Sequence, residues 1–177
     1  MRIIIFGPPG TGKGTQAKQI AKHFHLTYFS TGDYFREEYK RQTVLGIKAY
    51  IYWKDGNLVP DILTLQIVEK NIPADNYILD GYPRTLVQAQ ALEKKRETDI
   101  VLYLHTEKEE LLRRLLRRAH IEGRYDDTKD VIKKRIQIYE QETEPLLAFY
   151  KEKIARINGN EKQEVVLKEI LGIIKKK

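Results

Sequence analysis

The feature that most constrains this chain is its beginning: Arg2-Ile3-Ile4-Ile5-Phe6 runs straight into Gly7-Pro8-Pro9-Gly10-Thr11-Gly12-Lys13-Gly14-Thr15-Gln16. A short β-branched apolar run cut off by glycines reads as a buried strand feeding a tight turn. Beyond the turn, Gln16, Ala17, Ile20, Ala21 and Phe24 alternate with Lys18 and Lys22, which opens a helix. Strand, glycine loop and helix in that order form a phosphate cradle. Gly10, Gly12 and Gly14 carry no Cβ, so the backbone can wrap a polyphosphate with its N–H groups and the helix N-terminus facing the anion. Lys13 adds a mobile positive charge for the outer phosphates.

The spacing Gly7-x4-Gly12-Lys13 fits the P-loop, but Gly14 stands where the general pattern has Ser or Thr. The hydroxyl comes one place later, at Thr15. A glycine-rich turn that merely caps a helix is the plain alternative. The strand before the loop and the helix after it favour phosphate binding, because the motif requires that context.

At 177 residues the chain is expected to form one domain with a sizeable core. No apolar run approaches membrane-span length, and Met1-Arg2 leads into strand one without a secretory pattern. There is no cysteine, hence no disulfide framework and no thiolate metal site, which agrees with a cytoplasmic protein. The formal charge of +7 allows two readings: a surface for nucleic acid or membrane, or an internal cluster for a small, highly charged ligand. Lys175-Lys176-Lys177 reads as a solvated helix end, where cations suit the dipole.

Along the chain, Thr27-Tyr28-Phe29 is a short second strand, and Ser30-Thr31-Gly32-Asp33 opens a helix through Phe35 and Tyr39. A helix from Val44 to Lys54 closes at Asp55-Gly56-Asn57, and Pro60-Asp61 starts the next, to Asn71. Asn76-Tyr77-Ile78-Leu79 is a buried strand ending at Asp80-Gly81, and Pro83 is expected to start a helix to about Glu97. Asp99 to His105 is a fourth strand. Helices are expected at Glu107–Arg118 and, unbroken, at about Thr128–Lys153. Ile154 to Ile157 is a last strand before a terminal helix. Strands alternating with helices imply parallel pairing, right-handed crossovers and a sheet covered on both faces. In such a sheet ligands sit beyond the carboxyl ends of the strands, where every loop of interest falls.

Gly7 to Gln16, together with Thr31-Gly32-Asp33, Leu58-Val59-Pro60, Asp80-Gly81-Tyr82-Pro83-Arg84 and Gly123-Arg124-x-Asp126-Asp127, resembles the adenylate kinases, in the family's order and across the whole chain. The resemblance implies an α/β, P-loop nucleoside monophosphate kinase fold with a five-stranded parallel sheet flanked by helices on both faces. It also implies reversible, magnesium-dependent phosphoryl transfer from ATP to AMP giving two ADP, by a monomer. Gly10, Thr11, Gly12, Lys13, Gly14 and Thr15 match the ATP-binding loop. Arg114 and Arg118 match positions at the ATP site, with Arg118 on the adenine, and the backbone near Glu161 aligns with the ATP base. Arg36, Asn57, Leu58, Val59, Gly81, Tyr82, Pro83 and Arg84 match the AMP side, between about residues 30 and 59 and after the third strand. Lys13, Arg84, Arg114, Arg124 and Arg135 correspond to the catalytic cations, the last two also reaching AMP.

The chemistry makes independent sense of these residue types. Phosphoryl transfer needs positioning and charge neutralisation more than covalent help. The attacking AMP phosphate is already anionic, so no general base is needed, and His23, His25, His105 and His120 are expected to pack or face solvent. Guanidinium suits the site because its fork matches phosphate oxygens and its charge does not titrate. In Leu111-Leu112-Arg113-Arg114-Leu115-Leu116-Arg117-Arg118 the leucines share one helical face and the arginines the other; Arg113 and Arg117 match no family position and are read as surface. Ion pairing with Asp126 and Asp127 is a structural reading for part of Arg124's role. Asp80, which could also be a helix cap, suits magnesium through water, with Asp33 assisting.

Thr31 and Gln88 match positions that face the AMP base, and a side-chain amide pairs with adenine's donor–acceptor edge. The related uridylate–cytidylate kinases usually carry Ala and Asn at these two places. That family on the same fold is the nearest rival. A nucleotide-dependent switch or ATPase is a rival of another class. A nucleic-acid module, lacking any reader motif, ranks last. Only Ala119 to Gly123 separate Arg118 from Arg124, so the chain resembles the short-lid form, with a lid loop at about 119–127. Without the inserted domain and its cysteines no structural zinc is expected.

Overall fold

The computed structural model describes residues 1–121 and 128–176. Its centre is β1, Arg2–Phe6, in which Ile3, Ile4, Ile5 and Phe6 are all buried. Strands that are covered on both faces read as continuous apolar runs, and this one does. The sheet is completed by β2 (Thr27–Ser30), β3 (Tyr77–Asp80), β4 (Ile100–His105) and β5 (Ile154–Asn158). Its five strands lie in the order β2-β3-β1-β4-β5, every pair parallel. The chain builds leftward from β1, then crosses to the right for β4 and β5. Crevices open beyond the strand ends where such a sheet reverses direction.

Two cores follow from the alternation along each strand. Ile4, Phe6, Leu79, Val101 and Tyr103 face one layer, formed by α2 (Thr31–Lys40), α3 (Val44–Trp53), α4 (Asp61–Asn71), α5 (Leu86–Lys95) and α8 (Leu146–Phe149). Ile3, Ile5, Ile78, Leu102 and Leu104 face the other, formed by α1 (Lys13–Phe24) and α9 (Gln163–Ile174). Burying each such isoleucine or leucine contributes about 1.5–3 kcal/mol. Both faces are therefore covered, as expected.

Three helices differ from the expectation. Pro83 does not start α5: Tyr82–Pro83 is cis, Thr85 is extended, and its Oγ1 caps the helix by accepting from the Gln88 N–H at 3.3 Å. The helix begins at Leu86 instead. The long helix expected from Thr128 to Lys153 is broken. It runs as α7 (Lys129–Ile138), a π-helical turn at Tyr139–Thr143, and α8 after Pro145. Proline has no N–H to continue the ladder, and the π turn adds a residue that turns both Tyr139 and Thr143 inward. Finally α6 (Lys108–Ile121) continues through Ala119, His120 and Ile121, where the lid loop was expected to begin. The rest of that stretch, Glu122 to Asp127, lies outside the described residues.

Candidate active site

A cleft of about 1040 Å³ opens beyond the carboxyl ends of β1, β2 and β3. The glycine loop forms its floor. Gly7, Gly10 and Gly12 have φ of +145°, +92° and +89°, a region that L side chains rarely adopt. At Gly7 a Cβ would also lie 2.3 Å from the Leu104 carbonyl oxygen. The loop closes on itself: Thr11 Oγ1 donates to Pro8 O at 3.0 Å, and Lys13 Nζ donates to the same oxygen at 2.8 Å. Lys13 is thus aimed along the loop. Enclosed by the loop though open to the cleft's solvent, its ammonium is pushed down to about 8 by desolvation. Asp80 opposes this shift, while the charges of Arg84 and Arg118 add to it.

Gly14 has its own explanation. A Cβ there would sit 3.2 Å from Asp80 Oδ2 and 3.8 Å from the Tyr28 hydroxyl, tight enough that a serine or threonine would press on the carboxylate. Tyr28 Oη donates to Asp33 Oδ2 at 3.1 Å and lies 3.4 Å from Asp80 Oδ2, so one phenol links the two acids. Burial pushes that phenol far above its ordinary pKa, and Asp80 and Asp33 push it the same way, so it remains a donor. Desolvation raises Asp33, but the hydrogen bond and charge of Arg36, with Lys18 behind it, outweigh that and hold the acid low. Arg36 Nη2 reaches Asp33 Oδ1 at 2.6 Å.

The other cations come from three further places: the turn after β3, α7 and α6. Arg84 Nε donates to Gly81 O at 2.8 Å. Walled by protein yet open to the cleft, its guanidinium is lowered by desolvation, which Asp80 opposes, and by the charges of Arg135 and Arg36. Thr143 Oγ1 donates to Arg84 O at 3.0 Å, so the π turn braces the backbone that carries this arginine. Arg135 Nη2 donates to Trp53 O at 3.2 Å, tying α7 to the end of α3. Arg114 is held by Glu110 at 2.6 Å and by Gly159 O at 2.8 Å. Glu110 also takes Arg113, and the two guanidinium hydrogen bonds hold its carboxyl down to about 2.

On the far wall Thr31 and Gln88 are 4 % and 2 % exposed. Thr31 Oγ1 donates to Gly81 O at 2.7 Å. No group of three or more metal-ligating side chains occurs among the described residues. A glycine loop, several held cations and a buried polar wall in one cleft can together bind phosphate groups.

The adenylate kinase family model matches residues 5–155. The chain belongs to the adenylate kinase family. It is therefore a nucleoside monophosphate kinase, a transferase. It is similar to the adenylate kinase of Cyanothece sp., 43 % identical over 98 % of this chain and 94 % of that one. Adenylate kinase 1 of Nostoc sp. is 43 % identical over 96 % of both chains. The adenylate kinase of Clostridium botulinum is 36 % identical over 98 % of both, but its alignment extends over 212 positions against 184 for Cyanothece.

Most of the residues picked from the family's motifs line the one cleft. Gly10, Gly12, Lys13, Gly14 and Thr15 line it from the loop after β1 and the start of α1; Thr31, Asp33 and Arg36 from α2; Asn57, Leu58 and Val59 from the stretch between α3 and α4; Asp80, Gly81, Pro83 and Arg84 from the end of β3 and the turn after it; Gln88 from α5; Arg114 and Arg118 from α6; Arg135 from α7; and Glu161 from the turn after β5. Two do not line it. Thr11 turns into the loop, and Tyr82 packs in the core with its hydroxyl donating to Gln88 O at 3.2 Å. Arg124, with Asp126 and Asp127, lies outside the described residues. All four histidines are exposed.

Arg113 and Arg117, read as surface, stand at the cleft's mouth. Tyr28, Glu110, Tyr139 and Thr143 were missed altogether. Of these only Glu110 had a legible signal, its i,i+4 spacing to Arg114.

Proposed function

We propose that the cleft holds ATP and AMP end to end and transfers a phosphoryl group directly between them, giving two ADP. An oxygen of the AMP phosphate attacks the γ-phosphorus of ATP. The bond from that phosphorus to the β–γ bridging oxygen breaks, and the electron pair leaves on ADP. No proton needs to move, because the attacking oxygen is already anionic. The observation that carries this reading is the convergence of Lys13, Arg36, Arg84, Arg114, Arg118 and Arg135 on one cleft that the glycine loop also lines. Such a site supplies positioning and charge neutralisation, the two things this reaction needs.

In this reading Gly10 to Thr15, Arg114, Arg118 and the backbone at Glu161 hold ATP, with Arg118 against its adenine. Arg36, Arg84, Arg135 and Arg124 hold the AMP phosphate, Thr31 and Gln88 face its base, and Asn57 to Val59 and Gly81 to Pro83 complete that pocket. Magnesium suits the acids beside the loop: a hard ion that keeps most of its waters needs one or two carboxylates and substrate phosphates. Asp80 fits best, through water, because Gly14 leaves room beside it while Asp33 is already neutralised by Arg36 and Lys18. Bound there, the ion would draw charge from the transferring phosphoryl group.

The short-lid reading is supported by the Clostridium alignment, which needs far more positions than this chain has residues. We read the chain as one working domain, with an AMP-side segment at about 30–59 and a lid at about 119–127. We also read it as a cytoplasmic monomer without nucleic-acid or membrane partners and without zinc. No helix among the described residues is long and apolar enough to cross a membrane.

The test is a bisubstrate mimic joining two adenosines through five phosphates. It is expected to bind more tightly than ATP or AMP alone and to compete with both. Competition with only one of them, or no binding, ends the proposal.

A further inference from the structure

Gln88 is held more firmly than contact with a base requires. Its Oε1 accepts from the Arg84 backbone N–H at 2.8 Å, and its Nε2 donates to Asp61 Oδ1 at 2.6 Å. Neither partner can reverse its role, since a backbone N–H only donates and an ionised carboxylate only accepts. Chemistry therefore fixes which end of the amide is oxygen and which is nitrogen. Asp61 is itself anchored. Thr85 Oγ1 donates to its Oδ2 at 3.0 Å, and it lies in the first turn of α4, where the helix dipole favours negative charge.

A primary amide has two N–H groups and two oxygen lone pairs, and these bonds take one of each. One N–H and one lone pair remain, in a fixed left–right sense. Adenine presents a ring-nitrogen acceptor beside an exocyclic amino donor, which matches that pair. Hypoxanthine carries a carbonyl in place of the amino group, so Oε1 would meet another lone pair. An amide free to turn over could swap its ends and accept either base. Thr31 points the same way: its proton is committed to Gly81 O, so toward the cleft its hydroxyl can only accept.

We propose that Asp61 is a positioning residue for acceptor-base selectivity: by holding the Gln88 amide in one sense, it makes the site favour an amino-substituted purine over its oxo counterpart. The inference rests on the reading above that Gln88 faces the base of AMP. The charge-assisted bond to a buried amide is the kind whose loss is felt, because the alternative leaves the amide's orientation to the Arg84 N–H alone.

The experiment measures kcat/KM for AMP and for IMP at saturating ATP in the unmodified enzyme, Asp61→Asn, Asp61→Ser and Gln88→Ala. Asparagine is isosteric and can turn its own amide to follow either sense of Gln88. Serine repeats the test with a side chain that still suits the start of α4. The AMP:IMP ratio is expected to fall about tenfold in both Asp61 variants, with KM for ATP unchanged. A purely structural role for Asp61 would depress both nucleotides alike and leave the ratio where it was. A ratio within about twofold of the unmodified enzyme in both Asp61 variants, while Gln88→Ala lowers it, overturns this inference and spares the reading of Gln88. If Gln88→Ala itself leaves the ratio unchanged, the reading of Gln88 goes, and the role of Asp61 with it.

Discussion

The two ends of the cleft are built differently. At the end assigned to AMP the polar side chains are buried and committed: Gln88 bridges Asp61 and the Arg84 N–H, and Thr31 is tied to Gly81. At the end assigned to ATP, residues 160–163 have solvent-exposed side chains and are held mainly through backbone: Arg114 donates to Gly159 O at 2.8 Å and Gln16 Nε2 to Gln163 O at 3.0 Å. A buried polar group with fixed partners rejects a wrong base because the mismatch leaves it unsatisfied. An exposed loop has water to fall back on. On the proposed reading, the AMP end discriminates more strictly than the ATP end.

Removing a cation proposed to hold phosphate, one from each end, has the largest effect. Lys13→Ala and Arg84→Ala are each expected to lower turnover about a thousandfold, since each deletes a preoriented cation at the transferring group. Neither side chain belongs to the hydrophobic core, so the thermal midpoint should move by only a few degrees. The pair also divides the cleft: at residual activity, Lys13→Ala should raise KM for ATP and Arg84→Ala KM for AMP. Steady-state kinetics with each substrate varied in turn decides this, and near-normal turnover in either variant removes its assigned role.

Base selection is a smaller effect and tests the contrast itself. Acceptor trials should separate AMP from UMP by about a hundredfold or more in kcat/KM, whereas ATP and GTP as donors should differ by about tenfold or less. Preference for UMP would hand the site to the pyrimidine monophosphate kinases. Stricter choice of donor than of acceptor would invert the comparison.

The parts of this site that could be read from the chain are those whose cause is local. The loop from Gly7 to Thr15 must hold positive φ where only glycine is comfortable, and that requirement is written in consecutive residues. The apolar runs of β1, β3 and β4 are likewise their own evidence for a covered sheet, because burial on both faces leaves no polar alternation. What escaped notice depends on distance. Asp61 meets Gln88, Thr143 meets the backbone of Arg84, and Tyr28 joins Asp33 to Asp80 only once the sheet brings their loops together. The break at Tyr139–Thr143 was hidden for another reason: an apolar periodicity over α7 and α8 continues in phase closely enough that a single inserted residue does not register. Pro145 was the visible warning. Gly14 lies between these cases: its departure from the general motif was plain, but its reason, the Asp80 carboxylate 3.2 Å from a Cβ, needed the fold.

The smallest effect concerns charge rather than geometry, and again the two ends should part. The ammonium of Lys13 sits near 8 in place of an ordinary 10.5, so between those values the folded protein binds fewer protons than the unfolded chain. Stability contributed through this group therefore rises with pH across that window, while its grip on phosphate is lost. Free enzyme above about pH 8 should lose kcat/KM for ATP by about tenfold per unit, because only the charged form holds the outer phosphates. Arg84 remains charged throughout, so kcat/KM for AMP at saturating ATP should stay nearly flat; bound polyphosphate keeps Lys13 protonated there. In Lys13→Arg the basic limb should vanish even if the plateau is lower. Were the limb to persist in that variant, or to appear equally for AMP, the titrating group would lie elsewhere. The donor end would then owe its grip to the arginines of α6 rather than to the loop.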